Sequence, residues 1–191
     1  MAKKAKKSAL IAPEITAEQL ERLARLIRQA GHSQGLHPVQ WEALRYLARA
    51  NQFSNSPGAL AKYMGATKGT VSQTVLSLVK KTLVIKTERI GDSRSVALQL
   101  TEQGTKLLSD DPLGDLEKSI AALSYKTRKR FSKGVAEILA AEYVRQHEPS
   151  FGSCKSCRFY RDGDPDTCIK FTVNLKSTDL KLICVEHVAA G

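Results

Sequence analysis

The sequence predicts a mainly α-helical chain with a small β-wing, a winged helix-turn-helix, followed by a small cysteine-rich C-terminal module. Three observations carry this. Two stretches of helical apolar periodicity meet at a short turn containing Gly65. A β-rich run from Val84 to Arg89 is followed, across a turn at Gly91-Asp92-Ser93, by Val96, Leu98 and Leu100 alternating with Ala97 and Gln99. All four cysteines, Cys154, Cys157, Cys168 and Cys184, are confined to the last stretch of the chain.

Residues 1–15, with Lys3, Lys4, Lys6 and Lys7, read as a disordered basic arm. Thr16 and Gln19 fit a capping box, and Leu20, Leu23, Leu26 and Ile27 recur at helical spacing until Gly31. Pro38 suits the first position of a second helix, whose buried side is Val39, Trp41, Leu44, Leu47 and Ala48. Trp41 and Tyr46 fall on that repeat and are expected in the core. Ser56-Pro57 opens a short helix carrying Leu60, Ala61, Tyr63 and Met64. Thr67 caps the next, with Val71, Val75, Leu78 and Val79 inward and Lys68, Thr70, Ser72, Gln73, Ser77 and Lys80 outward. Beyond the hairpin, Thr101 starts a helix with Leu107 and Leu108, Pro112 interrupts the pattern, and Thr127 to Gln146 forms a long final helix. The winged-helix unit with its dimerisation helices is expected over 16–148 and the cysteine module over 149–191.

The formal net charge is +11, and it is unevenly placed. Between Leu36 and Leu100 nine Lys/Arg face three Asp/Glu; between Phe151 and Gly191 six face five. The excess therefore surrounds the helix-turn-helix, where it favours a polyanion. No phosphate-binding loop, nucleophile elbow or His-Glu-x-x-His motif is present, so an enzyme is not expected. Asp162, Asp164 and Asp166 lack the terminal Glu of a calcium loop and read as a solvated turn. No apolar run is long enough for a membrane span or a secretory signal, so a cytoplasmic location and no membrane partner are expected.

Pro38-Val39-Gln40-Trp41 to Leu47, Leu60-Ala61 through Thr70-Val71-Ser72 to Lys81, and the wing's Asp92-Ser93-Arg94 followed by Leu100-Thr101 and Gly104 together resemble the MarR family of bacterial regulators. The resemblance covers about Leu20 to Gln146. It implies a homodimer in which the first helix and the last two interleave above a pair of winged helices, and it makes repression the favoured mode. A small-molecule effector is left open; thiol switching within the helical part is excluded, because that part has no cysteine.

On this reading the helix from Thr67 enters the major groove of double-stranded DNA. Gln73 suits a bidentate contact to adenine, Thr70 and Ser72 a base edge or phosphate, and Lys68 and Lys80 phosphates. At the wing, Arg89 and Arg94 are the expected probes of the minor groove or its phosphates. Asp92 either orients Arg94 or stabilises the turn, and the two roles are compatible. A winged helix used as a protein adaptor, with a structural zinc tail, is the alternative.

The tail spacing is Cys154-x2-Cys157-x10-Cys168-x15-Cys184, with His187 after it as a substitute ligand. Clustered thiols in a reducing compartment suit a metal centre, whose binding would supply folding energy to a segment poor in apolar residues. Zinc is slightly favoured over a [4Fe–4S] cluster on frequency. The order of cysteines is also similar to that of high-potential iron–sulfur proteins, with Phe151, Phe159, Tyr160 and Phe171 available to shield a cluster.

Overall fold

The computed structural model describes residues 12–89 and 92–190; the side chains of Arg89 and residues 92–95 lie outside that description. The basic lysines at 3, 4, 6 and 7 also lie outside the described residues.

Helix α1, Pro13–Ala30, starts three residues before the expected Thr16. Pro13 takes the first helical position after Ala12, so proline rather than a threonine cap sets the start. The Thr16 hydroxyl bonds back to the Ala12 carbonyl, within the helix rather than at its end. Gly31 ends α1 as expected. Helix α2, Pro38–Arg49, has Gln40 returning its side-chain oxygen to the His37 N–H. Ser56 caps α3, Pro57–Tyr63, and Thr67 caps α4, Lys68–Lys80, each accepting from the backbone three residues on. Between them Gly65 takes a positive φ of 56°, the conformation that reverses the chain at low cost.

Strands β1, Val84–Arg89, and β2, Asp92–Leu100, pair antiparallel from Val84↔Leu100 to Glu88↔Val96, with a register shift before Arg89↔Asp92. Asp92 and Ser93 therefore belong to a strand, and the connection expected at 91–93 falls at 90–91, outside the described residues. The Leu98 N–H donates to the Asn55 carbonyl at 2.6 Å, and the Thr101 N–H donates to the Leu83 carbonyl. Both bonds fix the base of the wing to the helix-turn-helix.

Thr101 caps α5, Glu102–Leu107. A Cβ on Gly104 would lie 2.2 Å from the Leu83 carbonyl oxygen, so the glycine lets α5 sit directly on the strand entry. A short 3-10 turn and Pro112 follow, and α6 runs Leu113–Ala121. Helix α7, Tyr125–Arg145, is capped by Ser124 and starts two residues before the expected Thr127.

One core joins α2, α3, α4 and the hairpin. Trp41, Leu44, Tyr46, Leu60, Val71, Val75, Leu78 and Leu98 are buried in it, whereas Val39 is half-buried and Ala48, expected inside, is exposed at the end of its helix. The Tyr46 hydroxyl donates to the Ser54 carbonyl, and burial, with Cys184 and Tyr63 nearby, holds its pKa well above the usual tyrosine range. By contrast α1, α6 and α7 bury no residue. Among the described residues no helix is long and apolar enough to cross a membrane.

The tail forms a three-stranded antiparallel sheet of two-residue strands, β3 Tyr160–Arg161, β4 Thr167–Cys168 and β5 Val173–Asn174. Its own buried cluster is Cys154, Leu175 and Leu180. The rest of its burial is borrowed, because Ile183 lies in the winged-helix core with Phe151 and Val185 packed against it.

Candidate nucleic-acid interface and cysteine centre

The buried stripe of α4 is Val71, Thr74, Val75 and Leu78. That leaves Lys68, Thr70, Ser72, Gln73 and Lys80 exposed, as expected. Ser72, Gln73 and Lys80 share one face by helical spacing. Thr70 is partly committed to the start of the helix: its N–H donates to the Thr67 hydroxyl and the two hydroxyls are 2.9 Å apart. Ser77 does not face solvent as the sequence suggested. It is half-buried and accepts from the Gln40 amide at 2.8 Å, which locks α4 to α2. Leu76 occupies the outward face instead, 40% exposed. The sequence carried a signal for it, since Leu76 falls off the 71-75-78 stripe. An apolar side chain there suits contact with a thymine methyl.

The surroundings are basic. Lys62 of α3 and Lys86 of β1, on elements that pack against α4, are exposed. Lys81 is turned away, its ammonium donating to the Gly35 carbonyl at 3.1 Å. For Arg89, Asp92 and Arg94 the structure gives strand positions flanking the wing connection, and their side chains lie outside the described residues.

In the tail, the 3-10 turn Cys154–Ser156 and strand β4 bring three cysteines together, and the final segment supplies the fourth. All four are free thiols, with Cys154 and Cys184 buried and Cys157 and Cys168 half-buried. They line one small cavity together with Phe159, Tyr160 and Phe171. Burial, and then Cys184, Cys168 and Cys157 around it, push the Cys154 thiol up to about 11. Among the described residues no three His, Cys, Asp or Glu side chains draw close enough to hold a single metal ion. Phe151 is not at this cavity; it meets Tyr63 edge to face at 5.1 Å.

His187 stands apart from the cysteines. Its Nδ1 is 2.7 Å from the Ser150 hydroxyl and its Nε2 is 3.0 Å from that of Ser156. Both ring nitrogens are thus engaged, and a Cβ on Gly152 would meet the ring at 2.5 Å. The imidazole is a packing element that joins the two ends of the tail, a role the C-x2-H spacing did not reveal. Burial lowers its pKa by disfavouring the charged ring.

Backbone bonds tie the tail to the winged helix. The Ile183 N–H donates to the Arg49 carbonyl at 2.6 Å, the Asn51 N–H to the Ile183 carbonyl at 3.0 Å, and the Val185 N–H to the Ser54 hydroxyl at 2.8 Å. Phe53 stacks on Phe171, with ring centroids 3.9 Å apart and planes within 6°.

Residues 34–95 match the model of the MarR family. No curated protein matches the sequence. Among solved structures, the fold is similar to a MarR transcriptional regulator from Methanosarcina mazei Go1, with a TM-score of 0.56 at 22% identity over 69% of this chain and 98% of that one. It is also similar to MepR of S. aureus in its DNA-binding conformation, with a TM-score of 0.57 at 20% identity over 66% and 97% of the two chains. The S. aureus MepR–DNA complex matches with a TM-score of 0.55 at 20% identity over 65% and 96%.

Proposed function

We propose that this chain is a sequence-specific DNA-binding transcriptional regulator, a repressor that binds a pseudo-palindromic operator as a homodimer. The observation that carries the reading is the exposed polar face of α4, held beside a wing whose base is bonded to the same scaffold, within a segment that matches the MarR family model. Gln73 and Ser72 read base edges, with Leu76 beside them; Lys68 and Lys80 meet phosphates, and Thr70 contacts the backbone near the helix N-terminus. Arg89 and Arg94 probe the groove flanking the wing, with Asp92 orienting Arg94.

Support for the dimer comes from the helices that bury nothing. Leu26 of α1 and Phe131, Ile138 and Leu139 of α7 are exposed in the single chain, at 38–55% of their surface. Apolar faces of that extent on two flanking helices call for a second copy. The cysteine tail adds a metal centre, zinc or an iron–sulfur cluster, held by Cys154, Cys157, Cys168 and Cys184. Such a group would tie four distant points of a weakly cored segment together.

The test is selection from random duplexes with the full chain, followed by titration on the enriched duplex at several salt concentrations. Two half-sites related by a dyad should be enriched, and affinity should fall steeply with salt. Gln73→Ala should weaken binding by about 1–3 kcal/mol on the enriched sequence while leaving the melting temperature unchanged. In sedimentation the protein should run at twice its 21.0 kDa chain mass. Failure to enrich any duplex, with no salt-dependent binding, would overturn the regulator reading in favour of a protein adaptor.

A further inference from the structure

We infer that the four cysteines hold a [4Fe–4S] cluster rather than zinc, and that this cluster pins the loop between α2 and α3 to the tail. The inference rests on the reading of the four cysteines as a metal site.

Size separates the two metals. Zinc holds its thiolates at 2.3 Å, which draws sulfurs to roughly 3.8 Å from one another. The four cysteines line one cavity, yet among the described residues no three His, Cys, Asp or Glu side chains are grouped to hold a single ion. Four free thiols spread around one cavity of about 20 Å³ suit an inorganic core of several atoms better than one ion. The wall points the same way. Phe159 and Phe171 line the cavity with the sulfurs, beside Asn51, Lys170 and Glu186, and aromatic walls keep water from a cluster.

The cavity is also connected to the winged helix. Cys184 lies between Ile183, buried in the winged-helix core, and Val185, whose N–H is held by Ser54. Phe171, which lines the cavity, stacks on Phe53 of the same loop. That loop leads directly into the cap of α3, the first helix of the helix-turn-helix. A group bound to Cys184 and walled by Phe171 therefore braces residues 50–56 from two sides. Its loss frees both braces, and the loop gains mobility at the point where α3 begins.

The experiment uses the full chain purified without oxygen. Iron, acid-labile sulfide and zinc are counted on the same sample, which should hold about four irons and four sulfides per chain. Amide exchange is then compared before and after anaerobic removal of iron by a chelator. Residues 49–56 and 182–187 should exchange about tenfold faster without the cluster, while the buried stretch of α4 stays protected. Phe171→Ala, which leaves every cysteine in place, should accelerate exchange in 50–56 with the cluster still bound. Zinc without iron would overturn the cluster while the four-cysteine site stands. No metal, and no uptake of iron and sulfide on reconstitution, would overturn both. A cluster whose removal leaves exchange at 49–56 unchanged would overturn the brace. Neither readout involves DNA, so these results are independent of the regulator reading.

Discussion

Between them, the winged helix and the cysteine tail show two ways of finishing a fold. In the first, Trp41, Leu44, Leu60, Val71, Leu78 and Leu98 interlock with at most 1% of their surface exposed. In the second, only Cys154, Leu175 and Leu180 form a buried cluster, and its centre is a cavity. The first closes around its own side chains with Ile183 of the tail buried among them. The second draws on that neighbour through Ile183 and sets its four thiols around one small cavity. Apolar content sets this difference: a segment with so little to bury needs an added crosslink or a host surface.

The largest expected effect probes the winged-helix half. Trp41→Ala removes a side chain with 0% exposure and should cost about 3–5 kcal/mol, lowering the thermal midpoint to the same extent with metal bound or stripped. Ile183→Ala tests whether the two halves are separate. It lies in the tail, yet it should destabilise the winged helix by about 2–4 kcal/mol in calorimetry. A second, independent tail transition, with the main one unmoved, would break the claim that the core is shared.

Gly104→Ala forces α5 off the Leu83 carbonyl and should cost about 1–3 kcal/mol. Because the same carbonyl receives the Thr101 N–H at the foot of the wing, duplex affinity should fall more than stability alone explains. The smallest effect concerns Glu42. Burial raises its pKa, with Arg45 and Arg28 only partly offsetting that. The native state therefore holds this proton more tightly than the unfolded chain, whose value is about 4.3. Stability falls as pH rises from there through the folded value and stays lower above it. Glu42→Gln should accordingly be slightly stabilising at neutral pH and without benefit well below pH 4, as urea titrations at the two pH values would read.

Local chemistry was legible in the sequence. The caps at Ser56 and Thr67, Pro38 at a helix start, Gly65 in the turn and the alternation in β2 each involve residues a few positions apart. Lys68, Ser72, Gln73 and Lys80 were placed on the open face by the same short-range periodicity. Two helix starts were misplaced because competing local signals, Pro13 against Thr16 and Ser124 against Thr127, are both good ones. What stayed hidden was long-range. The Ser54 hydroxyl meets the Val185 N–H across 131 positions of sequence, and neither residue advertises it. The Phe53–Phe171 stack and the capture of Ile183 by the core are of the same kind. His187 shows the converse, since its spacing after Cys184 suggested a ligand while its ring serves two serines.

The two bonds at the foot of the hairpin have a mechanical consequence. Leu98 is held to Asn55 just before α3, and Thr101 to Leu83 just after α4. Helix and wing are thereby the jaws of a gauge clamped at its hinge. On the proposed function, a duplex seated there would bring its own groove width to the gauge, at an energy that varies with base sequence at positions no side chain touches.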